Sequence, residues 1–221
     1  MKKRVLIYTC ISAALLLAFA VLTILLCTLD VQVVGPQDAS VGLATLNSTV
    51  WEAIGQSKIA GKLSTLGGLL MLAAVAAFGV LGLVQLITRK NLLRVDKELY
   101  VMAGGLVLLA GAYLLFELWV INFRPVLDDG ALAPSYPSSH TMLAVAVAGM
   151  GMAYLQRRVK RAVVRCVLVC VLNLASVATV VCRFLSGVHW LTDIVGGVLL
   201  GLAITYAYLA VCTALDRGEG A

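Results

Sequence analysis

Charge is scarce in this sequence: 13% of the residues are Asp, Glu, Lys or Arg, against 62% hydrophobic. Histidine is scarcer still, with two in 221 residues. So little polar surface cannot cover a water-soluble domain, and the chain reads as a membrane protein, a single domain over residues 1–221. No internal repeat or low-complexity stretch is present, and no DNA or RNA signature, so the net charge of +6 needs another explanation. The cysteines (Cys10, Cys27, Cys166, Cys170, Cys182 and Cys212) fall almost entirely within apolar runs and read as buried thiols rather than disulfides. Cys166 and Cys170 lie one helical turn apart, yet no histidine or second pair accompanies them, which argues against zinc. Neither a metal nor a cofactor is expected.

What the chain does have is one long apolar run after another. The first, Val5 to Leu29, follows Met1-Lys2-Lys3-Arg4 as a signal peptide would, and Ala18-Phe-Ala20 resembles a cleavage site. A signal core has roughly 7 to 15 residues, however, whereas this run reaches the roughly 20 that span a bilayer. Further spans are predicted at Leu63 to Ile87, Leu99 to Ile121, His140 to Leu155, Ala162 to Cys182 and Leu191 to Cys212. The expected fold is all-α, a polytopic bundle of six transmembrane helices. The fourth is short and rich in Ala and Gly, which suits close packing inside the bundle, as do Gly196, Gly197 and Gly201 in the sixth.

Alternating helices put 13 of the 17 basic residues on one side: Lys2, Lys3, Arg4, Arg89, Lys90, Arg94, Lys97, Arg157, Arg158, Lys160, Arg161, Arg165 and Arg217. Lys58, Lys62, Arg124 and Arg183 remain on the other. The positive-inside rule then places both termini in the cytoplasm of a multi-pass cell-membrane protein, with loops 30–62, 122–139 and 183–190 outside. The positive balance is thus a topology signal. In the first outer loop, Asp38-Ala-Ser40 followed by Val41, Leu43, Leu46, Val50, Trp51 and Ile54 predicts a capped interfacial helix over about 40–56, an anchor or a gate.

Three polar clusters fall on this outer side. Arg183, His189 and Asp193 lie within twelve residues, and a helix beginning near His189 would set His189 and Asp193 on one face. Asp193 would then hold one imidazole nitrogen and leave the other directed and basic. Asn122-Phe-Arg124-Pro125 follows the third span; such an arginine is often only a snorkelling anchor, and the proline is expected to stop the helix. Pro134-Ser-Tyr-Pro137-Ser138-Ser139-His140 runs into the fourth span, where capping alone would account for the serines. Both histidines, two arginines and an aspartate on one surface point to a phosphate site beside two helix N-termini. Arg124, Arg183, Ser138 and Ser139 would cradle the anion, His189 would attack phosphorus, and His140 would protonate the departing oxygen and later activate water.

At these residues the sequence resembles the type 2 phosphatidic acid phosphatase superfamily. Its first signature is a lysine, six residues, then Arg-Pro, matched by Arg124-Pro125. The second, Pro-Ser-Gly-His, is matched by Pro137-Ser138-Ser139-His140, with serine for glycine. The third, Ser-Arg, five residues, His, three residues, Asp, is matched by Arg183, His189 and Asp193, with Cys182 for serine. The resemblance implies a metal-independent phosphatase of phospholipid metabolism acting on lipid phosphates at the outer leaflet through a phosphohistidine at His189, on substrates such as phosphatidic acid, phosphatidylglycerol phosphate or undecaprenyl diphosphate. Membrane lipids and the lipid phosphate are its only expected partners, with no nucleic acid. Glu117 stands where the family has lysine. It is expected to pair with Arg124 or Arg183 or to stay neutral in the apolar bundle; the alternatives are a weakened site, a lipid-phosphate binder or transporter, or a phosphotransferase.

Overall fold

The structure is a computed structural model describing residues 2–216; Met1 and 217–221 lie outside the described residues, Arg217 of the basic set among them. Seven helices are described: α1 (Lys2–Thr28), α2 (Ala44–Ile54), α3 (Lys58–Arg89), α4 (Lys97–Leu118), α5 (Ser139–Arg158), α6 (Ala162–Leu185) and α7 (Leu191–Leu215). Helix, with two 3₁₀ turns at Pro36–Asp38 and Leu92–Arg94 included, accounts for 78% of the described residues, beside a two-residue strand pair, β1 (Gln32–Val33) and β2 (Ser40–Val41). Five helices (α1, α3, α4, α6 and α7) are long and apolar enough to cross a membrane, and the protein is a multi-pass membrane protein. Each predicted span overlaps an observed helix, the third running three residues past the end of α4.

The helix at the fourth predicted span, α5, is the least greasy because it sits inside. Ala144, Ala146, Val147, Ala148, Met150 and Gly151 are all buried, and a helix enclosed by other helices needs small side chains more than an apolar exterior. The outer helices instead turn Leu17, Ile24, Leu66 and Leu174 outward, each more than half exposed. The cysteines follow the same division, which corrects the expectation of buried thiols. Only Cys212 is buried; Cys10, Cys27, Cys166 and Cys170 are exposed on outer helix faces, and all six are free. In a membrane helix an apolar run covers the lipid-facing side as well as the core, so hydrophobic context does not report burial.

Glycine brings α5 and α7 together. A Cβ on Gly197 would sit 2.8 Å from the Ser138 carbonyl oxygen and 2.9 Å from the Thr141 Cβ, and one on Gly201 would meet Val145 at 2.8 Å. On its other side α7 takes α1, where the Ser12 hydroxyl donates to the Ala203 carbonyl at 2.8 Å. Around this centre packs a core that includes Met102, Leu109, Met142, Met150, Leu200 and Ile204.

The basic end of the bundle is closed by ion pairs. Asp96 accepts from Gln85 (2.9 Å), Tyr154 (2.8 Å) and Arg89 (3.0 Å), and Arg158 grips Glu98 at 2.5 Å. Burial works against the Asp96 charge, but these hydrogen bonds and the Arg158 charge outweigh it and hold its carboxyl below the usual range.

At the opposite end, three connections gather. Segment 122–135 forms a short hairpin in which Arg124 N–H donates to the Ala133 carbonyl (3.0 Å) and Ser135 N–H to that of Asn122 (2.9 Å). Tyr136 anchors it, 2% exposed, stacked on Phe19, set edge-on to Phe116 and within 2.9 Å of the Thr23 hydroxyl. Two local expectations fail here. Because α4 ends at Leu118, Pro125 does not stop it, and Arg124 rides on the hairpin rather than one helical face above Glu117. Helix α2 begins at Ala44 after a left-handed Leu43, with neither Asp38 nor Ser40 as cap.

Gly197→Val is expected to destabilise the protein by about 1–3 kcal/mol, whereas Gly104→Ala, with open space around its Cβ position, should leave stability unchanged or slightly raised. Melting in detergent reads both, and a Gly197→Val protein as stable as the parent would show the α5–α7 crossing to be loose.

Candidate active site

His189 stands just outside α7, two residues before its first helical residue, in the turn that α6 reaches through a left-handed Gly187. It is not on the helical face that the spacing suggested. The pairing with Asp193 survives by another route. Asp193, in the first turn of α7, accepts the backbone N–H of Trp190 at 2.8 Å through Oδ2, which draws the preceding residues back over the helix end. His189 Nδ1 lies 3.4 Å from that oxygen, and Ser135 bridges the pair: its hydroxyl is 3.1 Å from Nδ1 and hydrogen-bonds Asp193 Oδ2. Both residues are buried, His189 at 3% exposure and Asp193 at 0%. His189 Nε2 has no protein partner. Burial, with the charges of Arg183 and Arg124 adding to it, keeps the imidazole pKa well below its ordinary value, so the ring is neutral near pH 7.

The other selected residues surround this ring. Ser138 closes the α5–α7 junction, its N–H donating to the Asp193 carbonyl at 3.0 Å. Its hydroxyl is buried and caps nothing, contrary to the capping expectation. Ser139 and His140 open the first turn of α5. His140 lies over α3, where a Cβ on Gly68 would approach its ring at 2.5 Å. Arg183 is buried in the last turn of α6, with Nη1 3.5 Å from the Ser64 hydroxyl and Nε without a partner. Unsatisfied buried donors such as these are costly, and they mark where an anion would be bound.

Two cavities meet at this point. A narrow cleft of about 20 Å³ is lined by Glu117, Arg124, Ser135, Ser139 and His189, among others. A groove of about 520 Å³ runs down α3 and α4 past Leu69, Leu72, Leu106 and Leu109, with Thr65, Ser139 and His140 at its polar end. Tyr113 and Ser139 line both. Among the described residues no group of three His, Cys, Asp or Glu side chains is placed to hold a metal ion.

Residues 118–216, the segment carrying every one of these site residues except those on α3 and α4, match the family model of the PAP2 superfamily. Over this segment the chain is similar to the PAP2 superfamily. A solved structure, the first transmembrane PAP2 type phosphatidylglycerolphosphate phosphatase from Bacillus subtilis, is similar with a TM-score of 0.63 and 19% identity, over 94% of this chain and 96% of that one. At that identity the likeness establishes the fold. No curated protein sequence matches.

Glu117 departs from the PAP2 signature and from the pairing expected of it. Arg124 instead binds Asp128 at 2.7 Å, and among the described residues Glu117 forms no ion pair with either arginine. It is exposed on α4 beside the Tyr113 phenol, on the wall of the cleft, rather than sunk in the bundle. Helix α4 stops one residue after it, so Glu117 and Arg124 do not share a helix. Ser135 was not singled out from the sequence. It sits in the 122–135 hairpin close to several other serines, and nothing in its local pattern separates a hydroxyl aimed at His189 from one in an ordinary turn.

Ser135→Ala removes the bridge but leaves the packing. It is expected to lower kcat by roughly 10- to 100-fold with KM changed little, since an imidazole displaced by a fraction of an ångström loses its near-attack geometry. An unchanged kcat would show that Asp193 orients the ring unaided. Histidine ¹⁵N NMR should show His189 still neutral at pH 6, below the free imidazole value of about 6.5; a protonated ring there would contradict the burial argument.

Proposed function

We propose that the protein is an integral-membrane phosphatase that hydrolyses a lipid phosphate or a polyprenyl or lipid diphosphate through a phosphohistidine at His189. The observation that carries this reading is a buried, neutral imidazole whose Nδ1 is fixed by Ser135 and Asp193 and whose Nε2 is free beside two arginines. Nε2 attacks phosphorus and the bond to the leaving oxygen breaks; His140 gives that oxygen its proton and releases the lipid alcohol, or the lipid monophosphate where the substrate is a diphosphate. Asp193 stabilises the positive charge left on the phosphorylated ring. Water then attacks the phosphohistidine, His140 takes its proton, and inorganic phosphate departs. Arg124, Arg183, the Ser138 and Ser139 hydroxyls and the first-turn N–H groups of α5 hold the phosphoryl oxygens. Guanidinium and backbone donors supply the charge that a metal ion would otherwise supply.

The groove between α3 and α4 supports a lipid substrate, because its walls are apolar and its polar end is the site itself. A further groove of about 400 Å³ continues it toward the basic end, sharing Val75 and Leu106. With 20 residues, α5 is about 30 Å long and serves as a sixth span. On the positive-inside rule, the basic end and both termini face the cytoplasm and the site faces the extracytoplasmic side. Because the similar Bacillus subtilis protein is described as a phosphatidylglycerolphosphate phosphatase, that lipid joins phosphatidic acid and undecaprenyl diphosphate as the substrates to assay.

Glu117 on the cleft wall and Asp128 on Arg124 favour one second reading, a lipid-phosphate binder or transporter with weakened catalysis. A phosphotransferase differs from the phosphatase only in the acceptor that relieves His189, and product analysis separates the two.

For the purified protein, phosphate release from one of these lipids should be abolished in His189→Ala and should survive EDTA. Binding without turnover by the parent protein, or full activity in the variant, would end the phosphatase reading. Glu117→Lys should raise kcat/KM severalfold, since the carboxylate supports neither arginine and opposes a phosphate dianion; a loss would show that Glu117 works in the site by some other contact.

A further inference from the structure

Segment 42–57 lies wholly outside the part of the chain matched by the PAP2 family, yet it grips the turn that carries His189 on both sides. Ser57 N–H donates to the Leu185 carbonyl at 3.1 Å. The Trp51 indole N–H donates to the Gly187 carbonyl at 2.8 Å, and its ring lies against that of Trp190 with centroids 6.2 Å apart. Gly187 is positive in φ, and a Cβ there would strike the Gln56 side chain at 2.8 Å and the Gly55 carbonyl oxygen at 2.9 Å. On the far side of His189, Asn47 reaches the start of α7: its Oδ1 accepts the Thr192 backbone N–H at 3.3 Å and its Nδ2 donates to the Thr192 hydroxyl at 3.0 Å.

Asn47 therefore does for α7 what an N-cap residue does, but from another element. The first N–H groups of a helix have no partner within it. The carbonyl of Trp190, the residue at the cap position, takes the Asp193 and Ile194 N–H groups, but its side chain has no acceptor to offer, and the Asn47 carboxamide takes the Thr192 N–H, one residue from Asp193. The same Nδ2 donates to the Gly42 carbonyl at 2.9 Å; Gly42 N–H donates to Asn122 Oδ1 at 3.0 Å, and the Asn122 carbonyl accepts the Ser135 N–H. Gly42 is confined in turn, since a Cβ on it would lie 1.8 Å from the Leu26 carbonyl oxygen. One hydrogen-bonded chain thus runs from Asn47 both to the helix end that holds Asp193 and to the strand that holds Ser135. Asn47 heads an Asn-Ser-Thr sequence of the glycan-acceptor type, but it is 0% exposed with both amide atoms engaged, which leaves it a structural part.

We infer that the outer segment carrying α2 is the brace that positions His189, with Asn47 as its principal positioning residue and Trp51 as its second. Asn47 touches neither the ring nor the phosphate position; it acts through Thr192 and Asp193 on one side and through Asn122 and Ser135 on the other. The inference rests on the reading of His189 as the nucleophile only for its kinetic consequence, since the brace itself is a matter of where the ring is held.

The test uses the full-length protein in detergent, with Asn47→Ala, Asn47→Asp and Trp51→Phe, and Thr49→Ala on the exposed face of the same helix as control. Asn47→Ala should lower kcat by roughly 10- to 100-fold with KM within about twofold. Asn47→Asp keeps the acceptor for the Thr192 N–H but loses the Nδ2 donor to Gly42, and should recover only part of that loss; Trp51→Phe, which keeps the ring but loses the Gly187 bond, should lose less than Asn47→Ala. Histidine ¹⁵N NMR gives a readout that needs no turnover: Asn47→Ala should move the His189 signals and leave those of His140 in place. If the parent protein hydrolyses none of the lipids and the His189 signals still move, the phosphatase reading fails and the brace stands. If kcat and the His189 signals both match those of Thr49→Ala, or if lost activity merely follows the unfolded fraction and aspartate restores nothing, the brace is refuted.

Discussion

A carboxyl group shut away from solvent must find its hydrogen-bond donors within the protein or the fold does not close around it. Asp193 is such a group, and its donors come from separate parts of the chain: the Ser135 hydroxyl from the hairpin after α4, and the Trp190 N–H from the turn before α7. Its backbone carbonyl takes the Ser138 N–H from the start of α5. These bonds to its Oδ2 and its carbonyl draw the 134–140 stretch to the turn that carries His189, and the Ser135 N–H bond to the Asn122 carbonyl brings the 122–125 stretch with it, while Oδ1 has no protein partner. The imidazole of His189 is oriented as a consequence.

That convergence depends on backbone approach. Tyr136 reaches α7 because residue 196 is glycine, where a Cβ would meet the ring at 2.4 Å, and Ser138 and Thr141 lie against Gly197 in the same way. The central helices are built from small residues for this reason, and the outer ones carry the large apolar side chains. A bundle in lipid gains little from hiding hydrophobic surface, so close packing and polar contacts hold the helices together. The Ser12–Ala203 and Thr23–Tyr136 contacts tie α1 into that centre.

The electrostatics of the site are less generous than the family signature implies. Arg124 is already engaged by Asp128, and Glu117 faces the cleft where a lysine is usual. Arg183 is the buried cation whose donors remain least satisfied, and it stands beside Ser64 on α3, a helix that also borders His140 and the apolar groove. Phosphate and lipid chain would thus be received by neighbouring parts of the same helices. Segment 42–57 adds to this arrangement its own hydrogen bonds to the turn that carries His189.

The sequence by itself determined the membrane setting, the long apolar helices and the segments proposed to bear the chemistry, because apolar runs and rare polar residues are local, one-dimensional signals. His189, Asp193, Arg124, Arg183, Ser138, Ser139 and His140 could all be named from such signals. Only the tertiary structure decided that α4 stops at Leu118 and carries Glu117 away from Arg124, that His189 precedes its helix, and that Ser135 bridges the pair. It also decided that Asn47, 145 positions before Thr192, supplies the cap that α7 lacks. Hydrogen bonds between residues so far apart leave no period or spacing along the chain; they exist only once the packing of the helices has brought donor and acceptor within reach.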